Sequence, residues 1–359
     1  TKVTAGYDNG TEPYGAAYPV IVYLLSNYSS TSSTDLGIIK LDRPIGALVG
    51  WDGYGYNNNN SYFKSGYFFN PSYPSASPYN GTAMFNWKNI FDTVFTDFMY
   101  SFRSGYSGMS GSPAILPNGG NYVVSGVLVS SGIKFNRITA TKYDAVNTVL
   151  NLNTPDEFDM IPLYADAYPK KVKSGSVLDS ISLAVLNYSK ESRSNQEVTI
   201  NVYISNDSII TQSDDLIGTY VKTVNIASKN SEIVKIQSGL PVINKAAGTY
   251  WIGAIISGDN NTTNNTTGRY DASKIKVTGS DVYKVSGTVT STQNGTGIAG
   301  VNVTIGSETI QTDYKGYFET GIASGWTGNV SIVKTGYTFS QSLIAISNLG
   351  APLNYSITG

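Results

Sequence analysis

The stretch of this chain best suited to chemistry is Gly108-Met109-Ser110-Gly111-Ser112-Pro113. A Gly-x-Ser-Gly run sets a serine hydroxyl on a tight turn, the arrangement of a nucleophile loop, and Ser110 holds the nucleophile position two residues after Gly108. A serine hydroxyl attacks a carbonyl only when a neighbouring base takes its proton, and in the Ser-His-Asp arrangement that base is an imidazole. The chain has no histidine. The same hexapeptide also reads as an ordinary turn, because Gly and Ser clusters are first of all loop punctuation.

Its neighbours favour the chemical reading. Upstream, Thr34-Asp35-Leu36-Gly37-Ile38-Ile39-Lys40-Leu41 places an acid at the start of an aliphatic run, so a carboxylate is expected at the lip of a buried strand. Downstream, Tyr122-Val123-Val124-Ser125-Gly126-Val127-Leu128-Val129 reads as a second apolar strand, followed by Ser131-Gly132 and Asn136-Arg137-Ile138-Thr139. From Lys142 to Leu150 apolar residues recur at helical spacing, which predicts a short helix.

This ordered series resembles the chymotrypsin-like double β-barrel, in particular the bacterial glutamyl-endopeptidase branch of the trypsin-like serine proteases. The resemblance covers roughly 1 to 152. It implies that Asp35 is the triad acid, Ser110 the nucleophile, and the N–H groups of Gly108 and Ser110 the oxyanion hole. Two departures accompany it. The family's histidine lies upstream of the acid, before the stretch Lys2-Val3-Thr4-Ala5-Gly6-Tyr7, so the histidine and the first strands of barrel one are expected on an upstream fragment, a separate chain or a neighbouring subunit. The second is Leu128, which stands after the Gly126-Val127 pair where glutamyl endopeptidases carry a specificity-pocket histidine, and this puts a preference for glutamate in doubt.

The chain's 359 residues suggest two or three domains. A formal net charge of −1, with 14% charged residues, gives no electrostatic footprint for nucleic acid or an anionic membrane. With no cysteine, neither disulfides nor thiolate metal sites contribute. No apolar stretch approaches the ~20 residues of a membrane span. Abundant Gly, Ser, Thr, Asn and Tyr with few helical patterns predict an all-β extracellular or cell-surface protein.

Three domains are expected, at 1–160, 174–278 and 282–359. The acidic Asp156-Glu157-Phe158-Asp159 and the Tyr168-Pro169-Lys170-Lys171 run make 155–173 a connecting loop. Strands then follow at short intervals, and Val198-Thr199-Ile200-Asn201-Val202-Tyr203-Ile204 alternates as a half-buried strand does. By strand count and turn spacing this is an immunoglobulin-like sandwich. It resembles the cell-adhesion-related (CARDB) domain in Tyr203-Ile204-Ser205-Asn206-Asp207, Asp214-Asp215-Leu216-Ile217-Gly218 and Gly248-Thr249-Tyr250-Trp251-Ile252-Gly253. The Ser213-Asp214-Asp215 loop has oxygen ligands of the kind calcium takes, but spacing alone does not assemble six of them, and no metal site is assigned.

After Gly279, Val285-Ser286-Gly287-Thr288-Val289-Thr290 and Val301-Asn302-Val303-Thr304-Ile305 read as strands, with Asp313-Tyr314-Lys315-Gly316 as the turn of a tight hairpin. This part resembles the carboxypeptidase-regulatory-like β-sandwich. Trp326 and Tyr337 suit core or edge packing, with a sugar-stacking platform as the alternative.

Two functions fit. The first is an extracellular serine endopeptidase portion acting on peptide or protein through Ser110 and Asp35 once a histidine is supplied, with no cofactor. The second is a non-catalytic pseudoprotease that serves as a surface, adhesion or filament scaffold.

Overall fold

A computed structural model describes residues 2–102, 105–130 and 134–359. It is all-β, as expected, with a single long helix, Ala140–Asn153, among the described residues. No described helix is long and apolar enough to cross a membrane. The chain forms two compact units, one of 1–159 with 186–193 and 226–231, the other of 160–185, 194–225 and 232–359.

In the first unit, Pro19–Leu24 and Gly37–Leu41 pair as an antiparallel ribbon with no third strand among the described residues. The larger sheet runs in the order Phe85–Asn89, Phe68–Ser72, Pro113–Asn118, Asn121–Ser130, Lys134–Arg137, Phe98–Tyr100, Thr93–Val94, and Gly53–Tyr54 pairs in parallel with Asn121–Ser130. Residues from most of these strands meet in one cluster of Phe63, Phe68, Phe91, Val94, Met99, Met109, Ala114, Leu116, Leu128 and Phe135, so the sheet curls round its own core. Phe68 stacks on Phe91 at 4.1 Å, and Phe135 meets both rings edge-on. Such offset and edge contacts add to the area term because they match the ring quadrupoles.

Aliphatic residues of the ribbon stay in solvent. Val20, Val22 and Leu24 are 56%, 60% and 56% exposed, and Ile39 is 48% exposed. The run after Asp35 is a strand, as its aliphatic pattern predicts, but not a buried one: every residue of Gly37–Leu41 is exposed or half-exposed. A lone two-stranded ribbon has no further strand to cover its faces.

The segment 155–173, expected as a loop, is mostly strand, with Met160–Tyr168 and Lys171–Lys173 both in sheets. Leu163, Ala165 and Ala167 alternate into the core, and Pro162 is tolerated because Met160–Tyr168 lies at a sheet edge. This edge strand pairs with Ser180–Asn187, which pairs with Ser231–Ile236. A five-stranded sheet runs Lys171–Lys173, Ser273–Thr278, Gly248–Ser257, Arg193–Ser205, Asp215–Ile226. The expected alternation holds in Arg193–Ser205, where Val198, Ile200, Val202 and Ile204 are all buried.

The C-terminal part is a second sandwich. One sheet is Tyr317–Ala323, Val282–Thr290 and Leu353–Thr358; the other is Glu308–Gln311, Asn302–Ile305, Gly328–Val333 and Leu343–Ile346. Val285, Val289, Phe318 and Ile357 from the first share a core with Val303, Ile305, Val330, Ile332 and Ile346 from the second, while Trp326 packs partly buried against it. The Asp313 turn is not a hairpin. It joins strands of opposite sheets: Gly316 at φ +75° donates its N–H to the Asp313 carbonyl, and the Asp313 side chain accepts from the N–H groups of Lys315 and Tyr317.

Candidate active site

The chain turns sharply at Gly108, whose φ of +88° is a left-handed value that side chains disfavour. A Cβ there would lie 2.6 Å from the Tyr73 carbonyl oxygen and 2.8 Å from the Ser75 nitrogen, so the site also excludes any side chain sterically. Ser75 N–H donates to the Ser107 carbonyl at 2.7 Å, which braces the loop from that side. On the other side, Gly111 N–H donates to Leu128 O at 2.7 Å, and Leu128 N–H donates to Ser112 O at 2.9 Å. Upstream, Tyr106 stacks on Trp87 at 5.8 Å and meets Tyr79 edge-on. Met109 is buried in the core beneath.

This bracing leaves Ser110 exposed, and its hydroxyl takes no hydrogen-bond partner among the described residues. The N–H groups of Gly108 and Ser110 likewise donate to no described residue. Ser112 differs: its hydroxyl accepts from Asn70 Nδ2 at 2.7 Å, and the same amide donates to Pro113 O at 2.8 Å. Of the two serines, Ser110 is the one free to react. Two unpaired N–H groups flanking a free hydroxyl can stabilise charge that develops on a carbonyl oxygen.

Asp35 sits in a closed loop before the strand Gly37–Leu41. Its Oδ2 accepts from Thr31 N–H at 2.7 Å, and its own N–H donates to Ser32 O at 3.1 Å. The loop is tied to the larger sheet by Asn136 Nδ2, which donates to Asp35 O at 2.8 Å. Asn136 lies on Lys134–Arg137, where it pairs with Val127 while Phe135 pairs with Leu128. The predicted acid and the predicted nucleophile loop are therefore both anchored to the strand pair Asn121–Ser130 and Lys134–Arg137.

Leu128 is 3% exposed, with its side chain in the aromatic core and its backbone bonded to the Ser110 loop. The Ser131-Gly132 pair lies outside the described residues. The helix Ala140–Asn153 is capped by the Thr139 side chain, which accepts from Lys142 N–H. Around it, Tyr54 and Tyr56 each pack a ring on Tyr143 at 5.3 Å, and the Tyr54 hydroxyl donates to Asn147 Oδ1 at 2.5 Å. Burial first, and then Tyr143, pushes the Tyr54 phenol above its ordinary pKa.

Asn136 and Lys142 enter the sequence reading only as members of the Asn136-Arg137-Ile138-Thr139 tail and of the predicted helix, with no role assigned, and Asn70 does not enter it. Their only trace in the sequence is polarity, of two amides on strands and of an ammonium in the first turn of the helix, and burial alone reveals it: Asn70, Asn136 and Lys142 are 2%, 1% and 5% exposed. In the loop before the strand Asp215–Ile226, Asp214 Oδ2 is taken by the N–H and hydroxyl of Thr211, and Asp215 pairs with Lys245. Among the described residues no cluster of acidic side chains could hold a metal ion.

No family model matches this chain, and no curated protein matches it. Among solved structures it is similar to a Glu endopeptidase in complex with MPD, at 23% identity and a TM-score of 0.36, over 41% of this chain and 70% of that one. It is also similar to the CARDB domain of a Pyrococcus furiosus protein in complex with di-metal ions, at 15% identity and a TM-score of 0.24, over 36% of this chain and 96% of that domain. Both scores are low, and the chemistry of the loop stands on its own residues.

Proposed function

We propose that this chain is a portion of an extracellular or cell-surface serine endopeptidase whose imidazole comes from a segment other than these 359 residues. The observation that carries the reading is the Gly108–Ser110 turn, a free serine hydroxyl between two N–H groups that have no acceptor among the described residues. In this reading the curled sheet is the second barrel of a chymotrypsin-like pair, and the exposed ribbon belongs to the first. A strand bearing the histidine, from an upstream fragment or a neighbouring subunit, would cover Val20, Val22 and Ile39 and bring the base beside Asp35.

The steps follow from the positions. The imidazole takes the Ser110 proton as Oγ attacks the scissile carbonyl of a peptide. Asp35 orients the ring and stabilises its charge, and the N–H groups of Gly108 and Ser110 hold the oxyanion. The imidazolium then returns the proton to the leaving amine, and water hydrolyses the acyl-serine by the same route.

The test is labelling by a fluorophosphonate. The chain alone should stay unlabelled; the chain joined to its histidine-bearing segment should label at Ser110, and Ser110→Ala should abolish it. Labelling of the isolated chain, or none in any complemented form, would refute the reading. The absence of histidine also supports an alternative reading, a surface, adhesion or filament scaffold that keeps the fold without the chemistry. Under that reading the two sandwiches carry the binding, with Trp326 and Tyr337 as places to seek a glycan.

A further inference from the structure

We infer that Asn136 and Lys142 form a positioning clamp that holds the Asp35 loop in its working conformation before any base arrives, an inference that rests on Asp35 being the acid. The Asn136 carboxamide is nearly inaccessible and splits its two ends between two tasks. Its Nδ2 faces the carbonyl oxygens of Asp35, Ser33 and Ser32 at 2.8, 3.3 and 3.4 Å. Its Oδ1 accepts from the Lys142 ammonium at 2.6 Å.

Lys142 decides which way the amide points. Turned over, the amide would set its oxygen against three carbonyl oxygens and its N–H groups against an ammonium, so both ends would be repelled. With the ammonium in place only one orientation is satisfied, and that orientation ties the acid loop to the sheet. Lys142 is itself fully engaged, because its Nζ also donates to Arg137 O at 2.9 Å and faces Asp97 Oδ1 at 3.5 Å.

A packing role alone would not require this. Burying an ammonium opposes stability, and an apolar side chain of similar length usually fills such a space at least as well. Here the charge sits at the base of the helix Ala140–Asn153 and orients a side chain that reaches residues about a hundred positions upstream. Lys134 adds a second tether, its Nζ donating to Thr31 O at 2.6 Å. The carbonyls of Thr31, Ser32, Ser33 and Asp35 thus all face donors on the one strand Lys134–Arg137. Thr31 N–H occupies Asp35 Oδ2, and Oδ1 is left without a partner among the described residues. That oxygen is the one available to receive an imidazole N–H.

The experiment uses the intact chain with Asn136→Asp, which keeps the acceptor for Lys142 but removes the donors, and Lys142→Met, which keeps bulk but removes the charge. Amide hydrogen exchange at Thr31 and Asp35 is compared with that of the helix Ala140–Asn153 and the strand Pro113–Asn118. At least tenfold faster exchange at Thr31 and Asp35, with little change in the reference elements, is the expected result for Asn136→Asp. Lys142→Met should act in the same direction and split the Asn136 side-chain NH2 resonances into two environments. Should Asn136→Asp fail to fold, Lys142→Met decides alone.

In the chain complemented with its histidine segment, either variant should lower kcat about tenfold with little change in KM, because the acid is misplaced while the substrate contacts remain. Parental exchange at Thr31 and Asp35 in the folded variants would overturn the clamp. Faster exchange there, with no complemented form ever labelled at Ser110, would leave the clamp standing and remove the protease reading instead.

Discussion

Replacing Gly108 by alanine attacks the proposed oxyanion turn at its tightest point, and Gly111 supplies an internal control. Both glycines have φ of +88°, but a Cβ at Gly111 meets nothing within 4 Å, whereas at Gly108 it would lie 2.6 Å from Tyr73 O. The conformational penalty is shared and amounts to about 1–2 kcal/mol for an L-residue in the left-handed region. Only Gly108→Ala must also push backbone aside, which adds about 1–3 kcal/mol by analogy with overpacked interiors. It should also break the Ser75 N–H to Ser107 O bond, worth about 1 kcal/mol net. The stability loss of Gly108→Ala should therefore exceed that of Gly111→Ala by about 2–4 kcal/mol, the sum of the last two effects. Native-state hydrogen exchange of the Asn121–Ser130 amides in the intact chain reads both losses on one scale, since this strand is paired on both sides within the curled sheet. Equal losses in the two variants would show that the turn is not braced against Tyr73 and Ser75, and with it would go the argument that Gly108 is held in place for its N–H.

Glu308 links the two sandwiches through Lys171 and, at 3.5 Å, Lys276. Burial opposes its ionisation, but the Lys171 hydrogen bond and charge, then Lys276, hold its carboxyl below the ordinary value. The stabilisation is therefore present above the unfolded carboxylate range and lost as pH falls through the folded value; Glu308→Gln should destabilise by no more than about 1 kcal/mol at neutral pH and by nothing in acid, and a pH-independent difference in melting would contradict this. Two phenols should titrate late: burial and then Asp166 push Tyr168 up to about 12, and burial and then the Glu319 hydrogen bond do the same for Tyr317. Both contribute stability below the ordinary value of 10.0 that is lost as pH rises toward 12, so a 295-nm titration of the folded chain should show a late step that Tyr317→Phe reduces; full ionisation near 10 would refute it. Limited proteolysis should cut at 155–157 and 279–281 before any bond in Met160–Tyr168, and early cleavage inside that strand would contradict its place in the sheet.

Period-two patterns made the second unit legible, because alternation is a local property of an extended chain and needs no knowledge of the partner strand. Val198 to Ile204 could be read as a strand from its seven residues alone. The same kind of reading passed over Met160–Tyr168, where acidic and proline signals on either side drew attention from Leu163, Ala165 and Ala167. It also took Asp313 for a hairpin turn, since the local signature of a tight turn is the same whether the next strand pairs beside the last or crosses to the opposite sheet.

For the candidate site, the sequence by itself determined the kinds of group present: a Gly-x-Ser-Gly turn, one carboxylate before an aliphatic run, and no imidazole anywhere in 359 residues. Composition is enough for that, because a missing functional group cannot be recovered by folding. Tertiary structure alone decided which serine is free, which N–H groups lack acceptors and what holds the acid. Ser110 and Ser112 are both plausible by spacing, and they differ only because Asn70, 42 residues from Ser112, reaches one of them. Asn136 and Lys142 are an ordinary amide and an ordinary lysine in the sequence; they gain their roles because a strand pairing sets an amide 101 residues from Asp35 against its loop and a helix cap sets an ammonium behind it. Hydrogen-bond partners at such separations are fixed by sheet register and packing, and no local pattern encodes them.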